Sequence, residues 1–240
     1  MAGTLDGYVT SSKSPPICVA TSQTITDRES TFVGSIYKAA SIAQAQEAIR
    51  YHTEVVNGRN KASHEIAAWR CMVLKPGRTG LQGADDDFEV KSGAQDDGEN
   101  HGGRTVLMAL TKEAVLDAVV IVSRWYGGVM LGPVRFTHIE ICAREVARNF
   151  REIEEIETCI EELNELDEEL LRLRALLPQN AGTDSSANPT SPTKPRDYRA
   201  MLLGTRDVEK AKRLVRARQN AVKSVQSILA TSNSDADKTS

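Results

Sequence analysis

The apolar positions of this chain change period along its length. Residues 31–40 (TFVGSIYKAA) are rich in β-branched and aromatic side chains and predict a strand. Ser41 stands where a helix N-cap belongs, and IAQAQEAIRYHTEVV behind it predicts a helix to about Val56. Residues 64–74 (HEIAAWRCMVL) predict a second long strand. A Gly/Asp-rich loop follows over 75–101, with room for an irregular hairpin; the aspartates 85–87 within it read as a solvated turn. Residues 103–115 predict a helix, and 117–124 (DAVVIVSR) a buried strand. A further helix starts near Pro133 and meets no evident stop before the segment beyond residue 150. Strands and helices that alternate with short connections predict a two-layer α/β domain, an α+β sandwich with helices on a sheet.

Beyond residue 150 the pattern is helical. Ile153, Ile156, Ile160, Leu163, Leu166, Leu170, Leu173 and Leu177 trace a heptad seam with one step missing between Leu163 and Leu166. Val208, Ala211, Leu214, Val215, Val222, Val225 and Leu229 mark a second helix. Between them, 178–195 (PQNAGTDSSANPTSPTKP) carries four prolines and reads as a flexible linker. Charge sharpens this division. Residues 1–150 sum to −1, 151–177 to −7 and 196–229 to +6, and only Tyr198 among the aromatic residues lies past residue 150. Two self-repelling but mutually complementary helices predict an antiparallel hairpin within the chain, although single surface pairs contribute only ~0–1 kcal/mol. The alternatives are an intermolecular coiled coil and a basic helix that binds RNA or acidic lipid. The expected organisation is a flexible N-terminus 1–25, an α/β domain 26–150, a helix–linker–helix segment 151–229 and a disordered tail 230–240.

The 240 residues, 40% apolar and 26% charged, describe a soluble globular chain able to bury a core without disulfides or metal. The net charge of −3 excludes nucleic-acid binding by bulk charge and leaves only local basic patches. No apolar run approaches the length of a membrane span, and the start of the chain lacks a basic-then-apolar secretory leader. The four cysteines are scattered without a CxxC pair, which predicts reduced thiols and a cytoplasmic setting, with no membrane partner.

Two glycine-bearing loops carry the candidate chemistry. In 124–135 (RWYGGVMLGPVR), Gly127, Gly128 and Gly132 allow backbone conformations closed to other residues, and Pro133 suits a first helical turn. Strand, glycine loop and helix start form a candidate anion cradle, flanked by Arg124 and Arg135, with Trp125 and Tyr126 offering stacking faces. With Arg104, that combination suits a phosphodiester and an unpaired base. The competing reading is a tight turn with Trp125 and Tyr126 in the core. The spacing matches neither a Walker A loop nor GxGxxG. In 95–103 (QDDGENHGG), Asp96, Asp97 and Glu99 around Gly98 have the chemistry to hold Mg²⁺ or move protons, or, more simply, to favour the positive end of the following helix. His64, His101 and His138 show no metal spacing, and His64, beside Trp69 on a strand, reads as a hydrogen-bonded core or rim residue. No catalytic residue, metal-ligand set or cofactor is assigned.

These loops also carry a resemblance. Asp27-Arg28-Glu29-Ser30-Thr31-Phe32, His64 with Ala67, Asp96-Asp97-Gly98-Glu99 with Gly102-Gly103, and 122–136 (VSRWYGGVMLGPVRF) resemble, in order, the Impact family of eukaryotic Impact and bacterial YigZ-type proteins. The RWYGG wording is closer to the eukaryotic branch. The resemblance spans roughly 26–150. It implies a fold similar to the second domain of ribosomal protein S5 and a non-enzymatic role in translational control. For the eukaryotic Impact proteins the resemblance further implies restraint of the initiation factor 2 kinase during amino-acid starvation, by competition for the kinase's co-activator, and links to ribosomes and actin. The face expected to make such contacts comprises Arg28, His64, the 96–99 loop, Arg104, Arg124 to Gly128, Gly132, Arg135 and His138. About 25 residues precede Asp27, too few for the RWD domain that such regulators carry, and the 151–229 helices do not look like the ferredoxin-like second domain of the bacterial branch.

Overall fold

The computed structural model describes residues 14–80, 87–177 and 196–236. The linker 178–195, residues 1–13, 81–86 and 237–240 lie outside the described residues. The chain separates into two compact units, Met1–Phe150 and Arg151–Ser240.

In the first unit, β1 (Cys18–Thr21), β2 (Ile25–Asp27), β3 (Ser30–Lys38), β4 (His64–Leu74), β5 (Phe88–Gln95) and β6 (Ala118–Trp125) form one sheet. Its order is β1-β3-β6-β4-β5, with β2 paired to β3, and every pairing is antiparallel. The central strand β6 is buried on both faces, which is why AVVIV shows no alternation. On one face Phe32, Ile36, Ile66, Val120 and Val122 pack with Val106 and Leu110 of α2 (Gly102–Lys112) and with Ile139, Ala143 and Phe150 of α3 (Val134–Ala175). On the other, Ala67, Trp69, Val119 and Ile121 pack with Ala45, Ala48 and Ile49 of α1 (Ile42–Tyr51). The α+β class expected from the sequence is the class observed, with α1 adding cover on the second face. Trp69 lies across Gly93 of β5, where a Cβ would come within 2.3 Å of the indole.

Local signals explain most boundaries. Ser41 accepts the Gln44 N–H at 3.2 Å, and the Gln44 side chain accepts the Ala40 N–H at 2.8 Å, so each residue satisfies a donor at the start of α1. The α-helix stops at Tyr51, and residues to Val56 form a π-helical turn instead. The flexible segment expected over 1–25 is contradicted at 18–21 and at Ile25, where β1 and β2 add to β3 and satisfy their backbone groups. Within 75–101, β5 is a regular strand across β4 and not an irregular hairpin. Asp87 is buried beside Arg78, 3.6 Å away, so it is no solvated turn residue; Asp85 and Asp86 lie outside the described residues.

The second unit contains the remainder of α3, then α4 (Tyr198–Leu203) and α5 (Val208–Ala236). α5 therefore runs into the segment expected as a disordered tail from 230. Tyr198 and Leu202 of α4 share a core with Ile156, Cys159, Ile160, Leu163, Ala211 and Val215. The charged helices do pair within the chain: Lys212 lies 2.6 Å from Glu155, and Arg218 2.9 Å from Asp167. Their direction, however, is parallel and not antiparallel. Glu155–Lys212, Glu162–Gln219 and Glu169–Gln226 advance together in steps of seven at a constant separation of 57 residues.

Direction is testable by cross-linking. Glu155→Cys with Lys212→Cys, and Glu169→Cys with Gln226→Cys, should each be joined by a short bismaleimide within one chain. The exchanged combination, Glu155→Cys with Gln226→Cys, should not, because fourteen helical residues separate the sites by ~21 Å. Linkage of the exchanged pair alone would restore the antiparallel arrangement.

Candidate functional site

The candidate residues converge at the end of the sheet where β3, β6 and β4 align Phe32, Arg124 and His64 side by side. The loop after β5 brings Glu99 beneath them, and the start of α3 brings Arg135 and His138. Glu99 is buried and accepts from both Arg124 and Arg135, while His64 Nε2 lies 4.0 Å away. Arg124 is 5% exposed, with its guanidinium 5.5 Å from the Phe32 ring and 5.6 Å from Tyr126. Arg135 lies 4.3 Å from the Phe136 ring and donates to the Gly132 carbonyl at 2.7 Å. The cation-flanked anion cradle expected from the sequence is therefore already filled: a carboxylate of the chain itself occupies the two guanidinium groups.

The loop geometry follows from a few positions. Arg28 and Glu29 take φ of 44° and 65° in the two-residue β2–β3 turn, the conformation that a tight hairpin requires. Gly127 packs against that turn; its N–H donates to Ser30 Oγ at 3.1 Å, and a Cβ would lie 2.1 Å from the Glu29 carbonyl carbon. Beyond it the chain turns outward. Trp125 is half-buried, its indole N–H donating to the Asn60 carbonyl at 3.0 Å, whereas Tyr126 is 43% exposed and Met130 77% exposed. The tight turn with both rings in the core is thus corrected: neither ring is a core residue.

The acidic loop divides its labour. Asp96 accepts the N–H groups of His101 and Gly103 at 3.1 and 2.8 Å, which serves the start of α2 as the simpler reading expects. Asp97 accepts the Glu65 N–H at 2.7 Å through its carboxylate, and its carbonyl lies 2.8 Å from His64 Nδ1. Gly98, at φ 82°, lets the loop pass close to the His64 ring. His138 Nε2 lies 2.9 Å from Asp27, which also pairs with Arg28; the two hydrogen bonds hold the Asp27 carboxyl below its ordinary range. Arg104 stands apart, exposed on α2 without an ion pair among the described residues. Among the described residues, no three His, Cys, Asp or Glu side chains are placed to hold a metal, and no helix is long and apolar enough to cross a membrane.

A second polar group lies on the opposite face and was not singled out from the sequence. Tyr37 Oη lies 2.8 Å from His52 Nδ1, His52 Nε2 lies 3.0 Å from Ser123 Oγ, and Ser123 donates to Glu65 at 2.6 Å. Asn57 adds a donor to Glu65 at 2.7 Å. Burial pushes His52 down to about 4 and raises Glu65. The available signal was the presence of Glu65 and Ser123 near the ends of two largely apolar strands, where they are register partners.

Residues 28–147, half of the chain, match the Impact N-terminal domain. The chain belongs to the Impact family. Protein IMPACT of Rattus norvegicus is 37% identical over 141 residues, covering 57% of this chain and 39% of that protein. A Schizosaccharomyces pombe protein IMPACT homolog is 36% identical over 126 residues, covering 52% and 40%. An IMPACT family member of the same yeast is 33% identical over 170 residues, covering 70% and 48%. This chain thus spans less than half the length of these curated relatives. The solved structure of the "two-domain translational regulator Yih1" is 33% identical and covers 54% of this chain and 46% of that one, at a TM-score of 0.35. The motifs that carry the resemblance to the Impact family fall on the β2–β3 turn and the start of β3, on His64 and Ala67 of β4, on the Glu99 loop and the start of α2, and on residues 122–136, from the end of β6 to the start of α3.

Two measurements probe the site. Glu99→Gln leaves the buried Arg124 without its counter-charge and should cost about 3–5 kcal/mol in urea unfolding; a loss below about 1 kcal/mol would show that the clamp does not hold the loops. His52 titrates near 4 when folded against 6.5 in the unfolded chain, so between these values only the unfolded chain takes up the proton. Its contribution to stability is present above about 6.5 and falls as pH drops toward about 4, by ~3 kcal/mol at most. Glu65 contributes the opposite slope, so the comparison is between wild type and His52→Gln: their stability difference should shrink as pH falls through this window. A pH-independent difference would contradict the burial of a neutral imidazole.

Proposed function

We propose that this Impact-family chain is a non-enzymatic binding protein of the translation-control apparatus, acting in the response to amino-acid starvation by restraining the initiation factor 2 kinase pathway. The observation that carries the reading is the internal neutralisation of the two glycine-bearing loops. Buried Glu99 accepts from both Arg124 and Arg135, and the loop between the two arginines presents Tyr126, Val129 and Met130 to solvent. An exposed aromatic and methionine on a fixed loop suit protein recognition. The kinase's co-activator, the ribosome and actin are the partners this reading brings forward, in a cytoplasmic setting. The helix pair of the second unit, read as an intramolecular coiled coil, offers a separate docking element.

The second reading is RNA or ribosome binding through the Arg/Gly/aromatic loop. Arg28 and Arg104 are its exposed cations, but Arg124 and Arg135 would have to leave Glu99 to reach a phosphate. The full chain and its Tyr126→Ala/Met130→Asp variant, immobilised and exposed to extracts of starved cells, separate the two. The protein-binding reading expects ribosomal or kinase-pathway proteins on the wild type and their loss on the variant, insensitive to nuclease. Capture that nuclease abolishes and Arg104→Ala weakens favours RNA; equal capture by both proteins removes this loop from the function.

A further inference from the structure

The edge strand β5 carries an apolar patch that the first unit leaves uncovered. α2 ends at Lys112, and Arg70 donates to the Leu110 and Val115 carbonyls, at 3.4 and 2.9 Å, where the helix gives out. Past Arg70 the same sheet face continues as the cross-strand pairs Met72–Val90 and Leu74–Phe88, each side chain 36–46% exposed. The outer side of β5 pairs with no strand among the described residues. A free edge beside exposed apolar side chains is a template for strand addition.

What identifies the added strand is charge. Glu89 and Lys91 lie on the opposite face of β5, 3.0 Å apart. Set a second β5 antiparallel to the first, with Val90 opposite Val90. Glu89 of each copy then faces Lys91 of the other, and the four groups alternate in sign. Sliding one strand by two residues puts Glu89 against Glu89, or Lys91 against Lys91. Sliding it by one sets the charged face against the apolar face. The pattern is self-complementary in a single register.

We propose that β5 is a homodimerisation edge: two copies of this chain pair antiparallel through residues 88–92 about a two-fold axis at Val90. The pairing joins the apolar patches of both copies across the seam and extends one sheet through the dimer. Opposite charges directly across strands stabilise and like charges destabilise by similar amounts, and the two-fold axis doubles each effect.

Sedimentation equilibrium of the full chain over a range of concentrations tests this. The wild type should dimerise reversibly, and Lys91→Glu or Glu89→Lys should each weaken dimerisation about tenfold. An equimolar mixture of the two variants should recover dimers, as should the exchange Glu89→Lys/Lys91→Glu. A wild type that stays monomeric at every concentration overturns the proposal. So does dimerisation that both single variants leave unchanged, since another surface would then be responsible, or single-variant losses that neither the mixture nor the exchange restores.

Discussion

A buried carboxylate needs partners for its oxygens, and Glu99 has two guanidinium groups. It accepts from Arg124 at the end of β6 and from Arg135 at the start of α3, with His64 of β4 beside it. One side chain thereby ties together the loop after β5, the central strand and the long helix. Buried ion pairs are weak evidence of net stability, but once formed they define geometry, because removing one partner strands the other. That is the part Glu99 plays: it determines where the 126–132 loop emerges and hence what the surface offers.

The rest of this end of the first unit follows from that constraint. With Arg124 held inward, the chain leaves β6 beside the β2–β3 turn, so closely that only a glycine fits at Gly127. Gly128 and Gly132 then take left-handed φ of 86° and 62°, and the loop turns back into α3 with Val129 and Met130 outside. On the opposite face the same logic recurs with different chemistry. Glu65 is buried without a guanidinium, and hydroxyl, amide and imidazole groups share its solvation. Asp97 connects the two sites, receiving the Glu65 N–H while its carbonyl meets His64.

Elements whose identity depends on local pattern were legible in the sequence: the strand at 117–124, the Ser41 cap and the uninterrupted helix after Pro133. Features that depend on partners were not. The Arg124 and Arg135 pair reads as a free anion cradle until a carboxylate twenty-five residues upstream folds against it. Opposite helix charges predict that the helices pair, but net charge has no direction. Direction resides in the flanking positions Glu155, Glu162 and Glu169, which meet Lys212, Gln219 and Gln226 in ascending order.

The central claim is that Glu99 and Arg124 act as one unit that organises the loops. A double-mutant cycle on Glu99→Gln and Arg124→Met, read by urea unfolding of the full chain, measures that unit directly. If the two residues depend on each other, the double variant should lose less than the sum of the single losses, with a coupling of about 2–3 kcal/mol. Additive losses, with no coupling beyond about 0.5 kcal/mol, would contradict the clamp.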